Sequence, residues 1–151
     1  MRTFELNSRI LIPREPSEIF PFFSDAGNLD LLTPQWLHFR ILKSGPIPIE
    51  EGTEIDYRLR LRGIPLRWRS RITVWNPPYR FVDEQVRGPY RIWVHEHQFC
   101  PVDGGTNVED RVRYAVWGGR LANRLFVARD LARIFEFRRR QLAERFKAEG
   151  R

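Results

Sequence analysis

The feature that most constrains this chain is its C-terminal run from Leu121 to Lys147. Leu121, Leu125, Ala128, Ala132, Phe135, Leu142 and Phe146 recur at three- and four-residue steps, and Leu131, Ile134 and Phe137 widen the stripe. That is the period of one apolar helical face. No proline or glycine interrupts the run, which predicts a single helix of about 40 Å. Gly118 and Gly119 lead into it without a Ser, Thr or Asp to cap it, and Arg138, Arg139, Arg140, Arg145 and Lys147 crowd its end, where cations suit the helix dipole. So broad a stripe needs a sheet to lie against.

The preceding residues supply one. Phe4, Leu6, Ile10 and Ile12 alternate with Thr3, Glu5, Asn7 and Arg9 as in a half-buried strand. After Pro13 and Pro16, Ser17-Glu18 opens a short helix burying Ile19, Phe20, Phe22 and Phe23, and Ser24-Asp25 caps a second that stops at Thr33-Pro34. A strand near Phe39–Lys43 and a loop from Gly45 to Gly52 follow. Then comes a hairpin in which Ile55, Tyr57, Leu59 and Leu61 face Leu66, Trp68, Ser70, Ile72 and Val74. Gly63-Ile64 is read as a type II′ turn, setting Leu59 opposite Trp68. Phe81–Val86 is a shorter strand, and Tyr90–Val102 with Thr106–Val116 forms a last hairpin. The expected class is α+β: a curved antiparallel sheet of six to seven strands wrapped on a long C-terminal helix, with two short helices after the first strand.

Length and composition set the bounds. The 151 residues fit one domain, 1–151, with a real core. The N-terminus lacks a signal-peptide apolar segment, no stretch approaches the ~20 apolar residues of a membrane span, and Cys100 is the lone cysteine. The expected location is cytoplasmic. The formal charge of +7 rests on arginine, with Lys43 and Lys147 the only lysines. It reads either as a compositional bias or as attraction to an anionic partner.

The element order, the early Phe20-Pro21-Phe22-Phe23-Ser24-Asp25, the strand Gly88-Pro89-Tyr90-Arg91-Ile92-Trp93-Val94-His95-Glu96-His97 and the long closing helix carry a resemblance. Nearly the whole chain resembles the START-like (SRPBCC) ligand-binding superfamily, which includes birch-pollen-allergen-like helix-grip proteins, and within it the bacterial polyketide cyclase/dehydrase-like branch. The resemblance implies a helix-grip fold. It leaves the activity open, since members bind lipids, hormones or polyketides and only some catalyse.

His95 and His97, two apart on a strand, share a face. With a Gly104-Gly105 turn, His97 is expected opposite Val112, His95 opposite Tyr114 and Phe99 opposite Asp110. Trp93, His95, His97 and Phe99 then share the inner face with Asp110, Val112 and Tyr114. Three readings stand: a structural polar pair, ligand recognition or acid–base work, and a metal site. No metal or cofactor is expected, because a lone His-x-His is a weak metal signal. Asp83 and Gln85 alternate with Phe81 and stand as further members of that polar group. Arg138 falls on the helix stripe and either meets Asp110 or Asp83 or snorkels to solvent. Cys100 points to the opposite face, which disfavours a Cys–His nucleophile.

The first functional reading is binding of a small, mostly hydrophobic, lipid- or polyketide-like molecule between sheet and helix. Tyr57, Leu59, Trp68, Phe81 and Asp83 would form its walls with the inner-face residues above, Phe135 and Arg138. The second is a cyclase or dehydratase using His95, His97 or Asp110 as acid–base groups in the same cavity. The third is an anion-binding surface formed by Arg58, Arg60, Arg62, Arg67, Arg69 and Arg71, which share one hairpin face. Specific nucleic-acid binding is not expected, because Trp68 points inward and cannot stack on bases.

Overall fold

Period-two alternation sets seven strands side by side in the computed structural model, which describes residues 1–42 and 47–147. The strands are β1 (Phe4–Ile12), β2 (Arg40–Ile41), β3 (Glu54–Leu61), β4 (Ile64–Asn76), β5 (Arg80–Arg87), β6 (Ile92–Val102) and β7 (Gly105–Ala115). All pair antiparallel in the order β1-β7-β6-β5-β4-β3-β2. Lys43, Gly45 and Pro46, expected in a strand and a loop, lie outside the described residues. The register between β4 and β5 shifts between Arg69 and Ser70 and again between Ile72 and Val74, and such bulges bend a sheet and increase its twist.

Between β1 and β2 the chain crosses the sheet in short helices. The first, α1 (Pro16–Phe23), buries Ile19, Phe20, Phe22 and Phe23. A 3₁₀ turn over Ala26–Leu32 follows, capped by Asp25, whose Oδ1 accepts from the Gly27 amide at 2.9 Å.

Both hairpins turn one residue earlier than expected. The β3–β4 turn is Arg62-Gly63, with φ of 51° and 82°, the two positive values that a type I′ turn requires. Tyr57 therefore faces Trp68, and Leu59 faces Leu66. The correction also resolves the charges. Asp56 pairs with Arg69 and Glu54 with Arg71, at 2.8 and 2.6 Å, and within this hairpin Arg58 and Arg67 remain as like charges face to face. The β6–β7 turn is Asp103-Gly104, so His97 lies opposite Asp110, His95 opposite Val112 and Phe99 opposite Val108. Gly105 opens β7 because a Cβ there would sit 2.0 Å from the Ile12 carbonyl oxygen of β1. Each register moves by two residues, which leaves every side chain on its expected face.

The closing helix also departs from its expected stripe. It is α-helical over Gly119–Ala122, π-helical over Asn123–Val127 and α-helical again over Ala128–Lys147; the whole is called α2 below. The wide turn makes the inward step from Ala122 to Val127 five residues instead of four. The buried stripe becomes Leu131, Phe135, Arg138, Leu142 and Phe146. Leu121, Leu125 and Phe126 are turned out to solvent with Trp117, and Ala132 is exposed as well. No described helix is long and apolar enough to cross a membrane.

Two apolar clusters fill the space between sheet and helix. One gathers Phe20, Phe22 and Phe23 of α1 with Phe81, Phe99, Leu142 and Phe146. The other gathers Leu59, Trp68 and Trp93 with Tyr114, Leu131 and Phe135. Along β6 the chain passes from Trp93 in the second cluster to Phe99 in the first. His95 and His97 stand at the join.

Candidate functional site

Directly opposite positions on β5 and β6 bring Asp83 to His95 and Phe81 to His97. The His97 ring is sandwiched, with its centroid 3.9 Å from Phe81 and 3.7 Å from His95. His97 Nε2 meets Asp83 Oδ2 at 2.6 Å, and His95 Nε2 meets Asp110 Oδ1 at 2.8 Å. Arg138 comes down from α2, buried, and donates to both Asp110 oxygens, from Nε at 3.1 Å and from a terminal nitrogen at 3.2 Å. The same terminal nitrogen lies 3.3 Å from His97 Nδ1. Arg138 does not snorkel: the Asp110 carboxylate satisfies it inside.

These contacts assign the protons. A guanidinium only donates, so His97 Nδ1 accepts and Nε2 carries the hydrogen given to Asp83. Burial, with neighbouring His95, pushes the His97 pKa down to about 4, against the pull of Asp83. Burial alone would raise the Asp110 carboxyl, but the Arg138 guanidinium and the His95 hydrogen bond hold it well below the usual range. Asp83 is likewise lowered: the His97 hydrogen bond and the nearby His95 and Arg138 outweigh its burial. Two carboxylates against one guanidinium leave the cluster one negative charge in excess when both imidazoles are neutral.

Asp83, His95 and His97 each bring a potential metal-ligand atom within 4.8 Å of the others. The tautomer argues against a three-ligand ion site. His97 Nε2 would have to offer a lone pair, and its hydrogen would have to move to Nδ1, which faces the donor-only Arg138.

Four members of the cluster, Asp83, His95, His97 and Arg138, line a cavity of about 180 Å³ under α2. Of the residues expected to face a ligand, Tyr57, Leu59, Trp68, Phe81 and Asp83 line it. So do Trp93, His95, His97, Phe135 and Arg138. The other four do not. The cavity lies over β3 to β6, whereas Val112, Tyr114 and Asp110 belong to β7, one strand further on. Val112 and Tyr114 are packed in the second apolar cluster, Tyr114 donating to Asn123 at 2.7 Å, and Asp110 stands behind His95. Phe99 is packed against Phe20 and Phe23. Gln85 does not join the polar group either; it holds the β5–β6 loop through the Tyr90 amide and carbonyl.

Sequence reasoning misses lining residues of two kinds. Phe22, Phe23 and Leu32 read as local packing alone, and Leu131 becomes a wall residue through the π-helical step. Buried Ser70 and Tyr57, joined at 3.2 Å, give the wall a second polar point. The Trp68 indole N–H is buried without an acceptor among the described residues.

A family model described as polyketide cyclase / dehydrase and lipid transport matches residues 3–147. The chain belongs to this family. A search of curated proteins found no match. Among solved structures, a Rhodobacter sphaeroides protein is 22% identical with a TM-score of 0.67, covering 95% of this chain and 92% of that one. The protein Ara h 8.0201 is 13% identical, with a TM-score of 0.68 and coverage of 97% and 99%. Major latex-like protein 151 of Panax ginseng is 10% identical, with a TM-score of 0.68 and coverage of 95% and 97%. At such identities these likenesses establish the helix-grip fold and nothing finer. Family and fold together suggest hydrophobic-ligand binding as the class of activity.

Proposed function

We propose that this polyketide cyclase/dehydrase-family protein binds a small, mostly hydrophobic molecule in the cavity between β3–β6 and α2. The observation that carries the reading is the wall itself. Mostly aromatic and aliphatic side chains surround about 180 Å³ of space, with a few polar groups such as Asp83, His95 and Arg138 among them, which is the usual make-up of a ligand pocket. The size limits the ligand. An apolar cavity of about 150 Å³ accepts benzene, so a molecule of one or two rings fits here.

A second reading, acid–base catalysis, is favoured by one contact. His95 Nδ1 and Asp83 Oδ2 stand 3.9 Å apart on the cavity wall, close enough to share a proton with a bound substrate. His97 and Asp110 are already committed to Arg138 and to the other members of the cluster.

Native mass spectrometry of protein purified from its own host tests the first reading by seeking a co-purifying small molecule. Calorimetric titration with methylnaphthalene tests it without that molecule. Binding to the natural sequence, lost in Leu59→Trp where the new ring fills the space, is the expected result. Equal binding by both places the probe elsewhere and overturns the proposal.

A further inference from the structure

Once the cluster's internal bonds are counted, Asp83 and His95 are left with unspent acceptors. Asp110 spends both oxygens on Arg138 and one again on His95. His97 spends both ring nitrogens, on Asp83 and Arg138. With its Nε2–H given to Asp110, His95 in its neutral form keeps Nδ1 as a lone-pair acceptor. Asp83 keeps Oδ1, which takes no hydrogen bond among the described residues, and its Oδ2 lies 3.9 Å from that His95 nitrogen. Both residues line the cavity. Asp83 and His95 therefore set two acceptors side by side on the wall, and the donor left over near them is Nη1 of Arg138, which makes no hydrogen bond among the described residues.

Charge points the same way. Arg138 also reaches the wall, but its charge is matched by the two-bond pair with Asp110. Asp83 is the carboxylate left without a guanidinium. A ligand carboxylate or phosphate brought to Asp83 would meet like charge in a poorly hydrated space. A hydroxyl or ammonium would give each orphan acceptor a hydrogen, and an ammonium would also cancel the cluster's excess negative charge.

Resting on the cavity as the ligand site, we propose that its ligand presents a hydrogen-bond donor, a hydroxyl or a protonated amine, to Asp83 and His95, and that the site excludes anions. The donor end enters first, and the apolar body lies among Tyr57, Trp68, Trp93 and Phe135. The Trp68 and Trp93 rings, edge to face at 5.3 Å, supply aromatic surface that tolerates a cation.

The test uses four naphthalenes substituted at the same ring position with methyl, hydroxymethyl, aminomethyl or carboxylate, titrated calorimetrically into the full chain. The hydroxymethyl and aminomethyl compounds are expected to bind about tenfold tighter than the methyl compound, and the carboxylate at least about tenfold weaker. Amine binding well above alcohol binding assigns the natural donor to an ammonium; the reverse order assigns it to a hydroxyl. Asp83→Asn should erase the advantage of both donors and admit the carboxylate. If all four bind alike, or the carboxylate binds best, this inference is wrong while the cavity remains a ligand site. If none binds, the ligand-site reading fails and takes this inference with it. The four natural-sequence titrations decide the matter even if Asp83→Asn does not fold.

Discussion

The Arg138 guanidinium donates to Nδ1 of His97 at 3.3 Å while clamping Asp110 with two further bonds. One buried cation thus fixes a histidine tautomer and holds a buried carboxylate ionised. Arg138→Met removes both effects and leaves Asp110 without its counter-ion. Urea denaturation should show a loss of about 3–5 kcal/mol, the cost of breaking a buried pair from one side. Arg138→Met combined with Asp110→Asn should recover a large part of it, because the orphaned charge is gone. A single variant that melts like the natural protein would contradict the buried geometry.

The depressed His97 pKa makes stability depend on pH in a definite direction. An unfolded histidine titrates near 6.5, and the folded one only near about 4. Between those values the unfolded chain binds more protons, so stability is intact above about pH 6.5 and falls as the pH drops toward 4. At pH 5 the loss from this group is roughly 2 kcal/mol. Below that, the lowered carboxyls of Asp83 and Asp110 extend the loss in the same direction. Denaturation curves of His97→Gln, which keeps a donor toward Asp83, should lose the part of the slope between pH 6.5 and 5.

Two adjacent glycines in the β6–β7 turn should respond very differently to alanine. Gly104 has φ of 86°, and a methyl group added there would meet nothing within 4 Å, so Gly104→Ala brings only left-handed strain, about 1–2 kcal/mol. Gly105→Ala would drive its methyl to 2.0 Å from the Ile12 carbonyl oxygen, which belongs to the backbone and cannot swing aside. It should cost clearly more, over ~2 kcal/mol, and loosen β1 from β7. Thermal melts and amide exchange across Phe4–Ile12 read both effects.

What the chain's letters disclosed depended on which spacing carried the information. Faces follow from period two, and Tyr57, Trp68, His95 and His97 all point inward as their alternation requires. Register follows from the turn, and a glycine in a tight turn fits either central position. The choice at Arg62-Gly63 is settled by the ion pairs Asp56–Arg69 and Glu54–Arg71, and a stretch so rich in arginine masks that pairing. The π-helical turn at Asn123–Val127 carries no proline or glycine to announce it, so the continuous stripe through Leu121 and Leu125 misleads. The polar cluster is half legible. His95, His97 and Asp110 share a face by arithmetic, whereas the pairing of Asp83 with His97 depends on a β5–β6 register that the loop through Gly88-Pro89 does not encode.

The arginine face of the first hairpin should not recognise nucleic acid specifically. Arg69 and Arg71 are engaged with Asp56 and Glu54, Arg62 with Asp130, and Trp68 is buried beneath the sheet. Charges so paired offer few free contacts to phosphates. Titration with labelled single- and double-stranded DNA and RNA should give weak binding that collapses as salt is raised. Sequence-dependent binding that survives salt would reverse this reading and make the hairpin a recognition surface.

Phe135 and Leu142 occupy the same helix stripe but different surroundings, and truncating them separates a cavity wall from a closed core. Leu142 is fully buried among Phe20, Phe22 and Phe146 and does not touch the cavity. Leu142→Ala should cost about 2–5 kcal/mol, with no probe able to restore it. Phe135 lines the cavity beside His95, ring to ring at 5.4 Å. Phe135→Ala should cost about 3–5 kcal/mol and enlarge the cavity at the same time. A three-ring aromatic alcohol should then raise the melting temperature of Phe135→Ala more than that of the natural protein, since a ligand bound only by the folded state stabilises it in proportion to its occupancy. If the larger probe rescues Leu142→Ala equally, or rescues neither, Phe135 is core and not wall, and the cavity ends short of α2.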